Sequence, residues 1–293
     1  MNPNQFEIID AHLHAWPAGG MAPYFSAPHA PASFGTTDEK VFEDTLFQMD
    51  RLGIRQGVLS GPNNVTVEWY RRAPGRFIPC WDPCLNPLDP EAEAAQFAEA
   101  VETQGFRGLG ELIMHYAGIA VNDKRFFPLY RVCAERHLPV FCHTGLNGPD
   151  WPRWAPSFRV NLGNPLLLED VLAAFPDLVI VMCHMSYPFT EQATYMLYAH
   201  SNVYMDVATV NWILGRAGFH RLLREVVETV GPDKILFGSD QMDVPQMIPV
   251  GLSAVQEAPF LSEEDKRKIL GDNARRLLGI GGTADAKALG GPA

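Results

Sequence analysis

Long apolar runs are missing from this sequence. No stretch approaches the roughly 18 consecutive apolar residues of a membrane helix, although 47% of the 293 residues are hydrophobic. Apolar residues broken into short runs imply a buried core. The opening Met1-Asn2-Pro3-Asn4-Gln5 lacks the basic and apolar regions of a secretory signal. Cysteine is scarce and odd in number, at five. Cys133, Cys142 and Cys183 lie in apolar surroundings typical of reduced core thiols, and Cys80 and Cys84 read as an incidental C-x3-C pair. A cytoplasmic protein is the expectation. Positive charge is short too: 23 Lys and Arg against 34 Asp and Glu give a net charge of −11. That balance argues against nucleic-acid and anionic-membrane surfaces, leaving a small molecule as the expected partner. Internal repeats are absent, and so is a G-x-G-x-x-G turn after the first strand.

What is present is a regular alternation. Short apolar runs predict strands at residues 8–14, 54–60, 77–81, 106–112, 139–143, 178–184, 203–207 and 234–237. Helical spacing predicts helices between them, at 37–52, 68–72, 90–103, 126–136, 165–175, 190–199 and 219–230. A last helix spans 262–278, with Ser262 and Asp265 in capping-box positions and an interruption near Gly271. Long loops fall at 17–37 and 146–164. Eight strands alternating with helices imply parallel βαβ units, and the count and length favour a single-domain (β/α)8 TIM-type barrel over an open doubly wound sheet. The barrel is expected over residues 1–281, with a disordered tail over 282–293.

Residues able to bind metal recur at the predicted strand ends. Asp10-Ala11-His12-Leu13-His14 closes the first strand, and strict alternation puts Asp10, His12 and His14 on one face. Glu111 lies on the fourth strand, His143 ends the fifth, His184 ends the sixth and Asp240 follows the eighth. Any one of these residues is a weak signal. In a barrel, however, all strand C-termini meet on one face, and side chains far apart in sequence become neighbours there. A divalent ion held in such a cluster lowers the pKa of its water to roughly 7, and a neighbouring carboxylate such as Asp240 can take up the proton.

These motifs resemble the amidohydrolase superfamily, in particular the amidohydrolase-related group that includes aminocarboxymuconate-semialdehyde decarboxylase. The resemblance rests on Asp10-Ala11-His12-Leu13-His14, Pro139-Val140-Phe141-Cys142-His143-Thr144-Gly145, His184 after its apolar run, Ile235-Leu236-Phe237-Gly238-Ser239-Asp240 and the closing Gly271-Asp272-Asn273-Ala274-Arg275. It implies that His12, His14, His143 and Asp240 hold a divalent ion, usually zinc or manganese. His184 would bind a second ion, or else hydrogen-bond substrate and transfer protons. Gly110-Glu111-Leu112 resembles the deoxyribonuclease branch, where a glutamate bridges two metals. Glu111 is therefore a ligand of a two-ion site, or a substrate or supporting residue of a one-ion site. A homodimer is a further implication.

Arg153 and Arg159 could clamp a substrate carboxylate, while Trp16, Trp151, Trp154, Tyr187 and Met242 could wall an apolar pocket. Asp10 reads as a supporting hydrogen-bond partner. His115 reads as structural rather than functional, as do His29, His137, His200 and His220. The expected activity is metal-dependent hydrolysis of a small amide, ester or lactone, with Asp240 as base. The rival is metal-dependent, non-oxidative decarboxylation of an aromatic or unsaturated acid.

Overall fold

The computed structural model describes residues 7–16, 37–85, 89–148 and 155–280. Most of the predicted loop at 17–37 lies outside them, as do His29, Trp151, Arg153, Trp154 and the tail at 282–293. Eight parallel strands run in sequential order: β1 (Ile8–His14), β2 (Ile54–Ser60), β3 (Phe77–Trp81), β4 (Gly108–Leu112), β5 (Val140–Cys142), β6 (Ile180–Met182), β7 (Val203–Asp206) and β8 (Ile235–Leu236). Backbone bonds from Ala11 N to Phe237 O and from Asp240 N to His12 O, both 2.8 Å, bring the last strand against the first. The fold is a (β/α)8 barrel.

Local chemistry sets the surrounding helices. Helix α1 (Asp38–Leu52) starts at Thr37, whose side chain accepts from Lys40 N, and stops at left-handed Gly53. Helices α2 (Asn63–Arg72) and α3 (Pro90–Gln104) follow, the latter capped by Asp89 with Pro90 in its first turn. Next come α4 (Phe127–Arg136), α5 (Leu168–Ala174), α6 (Thr190–Ala199), the short α7 (Val210–Ile213) and α8 (Gly215–Val230). Phe219, Leu223 and Val226 form the buried side of α8. Helix α9 (Met247–Gln256) has no counterpart in the sequence reading. The expected last helix divides into α10 (Glu263–Arg267), with the capping box of Ser262 and Asp265, a π turn at Lys268–Asp272, and α11 (Asn273–Leu278).

The main core lies between the strands and the helices, where Leu13, Leu109, Leu112, Met182 and Phe237 pack. A second cluster fills the barrel with Ile9, Ala11, Ile78, Phe141, Val181 and Leu236, and Ala274 of α11 belongs to it. Two strands change phase between these layers. From Asp10 to Leu13, β1 advances three residues while its partner advances only from Gly57 to Leu59. From Leu109 to Leu112, β4 likewise advances three while β5 goes from Val140 to Cys142. Each shift inserts one extra residue, as a bulge does. The alternation expected across Asp10, His12 and His14 is therefore broken between Asp10 and Leu13. Both shifts fall beside a candidate ligand, His12 in one strand and Glu111 in the other.

Candidate metal centre

Glu111 sits where its strand bulges, directly after Gly110. The latter has φ +123°, and a Cβ there would lie 2.3 Å from Phe141 O, so only glycine fits. Gly238 plays the matching part at the barrel seam: a Cβ would approach His12 Cβ to 2.6 Å. Its absence lets the turn after β8 carry Asp240 alongside β1.

The six residues predicted from strand ends are buried and meet in one cluster. Around Glu111 Oε2 stand His12 Nε2 and His14 Nε2, each 3.4 Å away, and these two nitrogens are 3.2 Å apart. Asp240 Oδ1 completes that group at 3.0 Å from His14 Nε2 and 3.9 Å from His12 Nε2. Around Glu111 Oε1 stand His143 Nδ1 at 2.9 Å and His184 Nε2 at 2.8 Å, with 3.3 Å between the two nitrogens. One carboxylate thus faces two groups of ligand atoms. Among the described residues, His12, His14 and Asp240 form one set of potential metal donors, and Glu111, His143 and His184 another.

The outer nitrogens indicate which inner ones carry lone pairs. His12 Nδ1 donates to Asp206 Oδ2 at 2.9 Å, His143 Nε2 to Leu146 O at 2.6 Å and His184 Nδ1 to Ala208 O at 3.2 Å. These assignments follow from the acceptor each ring faces. Each neutral imidazole then turns a lone pair toward the cluster, the arrangement a metal-binding histidine requires. Facing lone pairs about 3 Å apart repel unless a proton or a cation lies between them. Asp240 Oδ1 is buried without a hydrogen bond, as is His14 Nδ1. The donor set fits divalent ions.

Electrostatics agree. Burial opposes the charge of the His12 ring, but Glu111 and Asp206 outweigh it and raise the pKa well above the ordinary histidine value. Burial likewise opposes ionisation of Glu111 and Asp240, yet the surrounding histidines hold both carboxylates below their ordinary range. Without an ion the cluster retains protons, and an ion would displace them.

Several supporting residues escaped the sequence reading. Asp206, at the end of β7, bonds His12 through Oδ2 and accepts from the backbone of His184 and Ala208 through Oδ1, at 2.8 and 3.0 Å. Its strand-end position was the available signal. Thr209 donates to Asp240 Oδ2. Gln241 brackets the His14 backbone, accepting from its N–H and donating to its carbonyl. Tyr116 Oη lies 3.2 Å from His143 Nε2. Asp10 Oδ1 accepts from His12 N and Ser239 N, and burial pushes its carboxyl up to about 7. His115 is buried against His143 and Tyr116, and burial presses its pKa down to about 2.

The remaining candidates scatter. Trp16 is half-buried with its ring 5.9 Å from that of His14. Tyr187 lines a cleft between α6 and α8 that none of the six cluster residues borders. Arg159 is exposed, and its Nη1 donates to the carbonyls of Pro156 and Phe158 in its own loop. Met242 packs with Trp212, Val244 and Met247.

The amidohydrolase family model matches residues 9–280, and the chain belongs to that family. It is an enzyme of the amidohydrolase superfamily. A curated relative, protein fluG of Emericella nidulans, is 32% identical over 108 residues, which is 36% of this chain and only 11% of that longer protein. Among solved structures, an uncharacterised TIM-barrel protein from Bordetella bronchiseptica superposes with TM-score 0.71 and 24% identity, over 94% of this chain and 99% of its own. The 5-carboxyvanillate decarboxylase of Sphingomonas paucimobilis gives 0.62 and 18%, over 94% and 99%. A Pseudomonas putida protein assigned as a 2-pyrone-4,6-dicarboxylic acid hydrolase gives 0.63 and 20%, over 94% and 98%. At these identities the likeness is one of fold.

Proposed function

We propose that this enzyme is a metal-dependent hydrolase of a small amide, ester or lactone, with Asp240 as general base. The observation that carries this reading is the division of the Asp240 carboxylate. Oδ2 is held by Thr209, whereas Oδ1 is turned into the cluster, 3.0 Å from His14 Nε2, where it is placed to exchange a proton. His12, His14 and Asp240 would hold one divalent ion with Glu111 Oε2, and His143 and His184 a second with Glu111 Oε1. Bound there, such ions supply Lewis acidity toward a substrate oxygen and lower the pKa of water to roughly 7. Asp240 takes the proton of the attacking water and returns it to the leaving nitrogen or oxygen as the acyl bond breaks. Trp16 supplies an apolar wall beside His14, and Arg153 and Arg159 are the candidates for holding a substrate carboxylate. Zinc is the proposed metal and manganese the alternative, the latter being bound in solved structures of 5-carboxyvanillate and dihydroxybenzoic acid decarboxylases that share this fold.

A second reading is supported by the decarboxylases among the solved structures of this fold. There the carbon–carboxylate bond breaks, carbon dioxide leaves, and His184 or Asp240 protonates the carbon left behind. Elemental analysis and a turnover screen separate the two. Ring opening of lactones, or ester cleavage without gas, is the expected result. Carbon dioxide release from hydroxybenzoates without hydrolysis would overturn it. Asp240→Asn should lose activity while keeping its fold. The same reading takes a small molecule as the only partner besides a second copy of the chain. A cytoplasmic location is part of the same proposal; among the described residues no helix is long and apolar enough to cross a membrane. Light scattering tests the homodimer.

A further inference from the structure

The segment after β7 offers no ligand to either group, yet its side chains hold the β8 turn one residue after another. Asn211 Nδ2 donates to Gly238 O at 2.8 Å, Trp212 Nε1 to Ser239 O at 2.9 Å, and the Thr209 hydroxyl to Asp240 Oδ2. The first two fix the backbone of the turn. Only Thr209 reaches the reactive carboxylate.

Its backbone is unusual. Thr209 has φ 59° and ψ −49°, and Asp240 has φ 50°; a β-branched residue at positive φ is a real outlier. Such conformations persist only where the surroundings over-determine them. Here the Thr209 carbonyl accepts from Trp212 N and Ile213 N, at 3.0 and 2.8 Å, so the first turn of α7 holds it. The hydroxyl is delivered into a buried site by a conformation threonine ordinarily avoids.

We propose that Thr209 is a positioning residue that decides which oxygen of Asp240 is basic. This rests on the metal-dependent reading of the cluster. By donating to Oδ2, Thr209 withdraws that oxygen from the ligand group and stops the carboxylate from turning. Oδ1 remains the oxygen that faces His14 and the reacting proton. Without the hydroxyl, both oxygens are open to the ion, and the carboxylate can pivot to use either or both.

Cobalt(II) is the probe, because its visible absorption reports the number and arrangement of its ligands. Wild type, Thr209→Val and Thr209→Ser are dialysed against cobalt and compared for bound cobalt, absorption spectrum and hydrolysis of a nitrophenyl ester and an aromatic lactone. Thr209→Ala deletes the same hydroxyl and relieves the β-branched strain, so it serves if Thr209→Val does not fold. The variants lacking the hydroxyl should bind cobalt with an altered spectrum, and kcat should fall roughly ten- to hundredfold, the worth of one hydrogen bond to a charged group. KM should hold. Thr209→Ser should restore both spectrum and rate. If wild type binds cobalt and the hydroxyl-free variants show its spectrum unchanged, the role of Thr209 is overturned while the metal site stands. Wild type that takes up no cobalt overturns the metal reading and this inference together.

Discussion

The two groups of ligand atoms that share Glu111 are built differently. The group on Oε2 comes from β1 and the turn after β8, neighbours across the barrel seam, and carboxylates brace it: Asp206 behind His12 and Asp10 beneath the turn. The group on Oε1 comes from the ends of β5 and β6, and backbone carbonyls brace it: Leu146 O behind His143 and Ala208 O behind His184. A carboxylate behind an imidazole raises its basicity more than a carbonyl does. We therefore expect the His12–His14–Asp240 group to bind its ion more tightly, and the His143–His184 group to be the one that empties first.

The largest effect should come from removing what the groups share. Glu111→Gln takes the charge from both and should reduce bound metal, measured by elemental analysis, to well under one ion per chain. Retention of a full complement would mean that Glu111 does not bridge. Next, the halves should separate. His12→Ala should lose metal and activity together, whereas His184→Ala should keep one ion; equal losses from the two variants would erase the proposed difference. A smaller change isolates the brace itself: Asp206→Asn should weaken metal binding about 10- to 100-fold, the usual cost of losing such a partner. Chelator competition measures it, and unchanged affinity would show that the carboxylate behind His12 is not what distinguishes the two groups.

The smallest effect concerns Asp10. Burial raises its carboxyl from the ordinary 3.8 to about 7, so the native chain keeps a proton that the unfolded chain has already lost. The resulting stability is full below about pH 4 and is lost as the pH rises toward 7. Asp10→Asn keeps an acceptor for His12 N and Ser239 N and does not titrate. Thermal unfolding of the metal-free variant should therefore fall less steeply than wild type between pH 4 and 7. Parallel curves would assign the slope to other groups.

Much of this molecule is legible from patterning. The eight strands follow from short apolar runs, and the capping box of Ser262 and Asp265 forms as the spacing indicates. Helix α9 carries Pro249 and Gly251, two residues that ordinarily disfavour a helix interior. In the folded protein Gly251 makes room for Asn211, whose Nδ2 would lie 2.9 Å from a Cβ there. The apolar run 178–183 followed by His184 reads as one long strand, but β6 is only Ile180–Met182 and His184 turns at φ 61°. A conformation imposed by packing at the barrel mouth leaves no trace in hydrophobicity. Thr209 is the clearest omission, since nothing near it in sequence announces a partner 31 residues away.

By itself the sequence determined the alternation of strands and helices, and it determined that His12, His14, Glu111, His143, His184 and Asp240 fall at strand ends. Parallel strands in sequential order then have their C-termini on one face, which is a property of the barrel rather than of any residue. Tertiary structure alone decided the phase. One extra residue in β1 and one in β4, three steps taken against two on the neighbouring strand, put the pleat out of step beside His12 and Glu111. Bulges arise from pairing between strands, and a single chain segment cannot encode the register of its neighbour. The same dependence placed Asp206 behind His12 and Thr209 against Asp240: hydrogen bonds of this kind are set by which loops the closed barrel brings together.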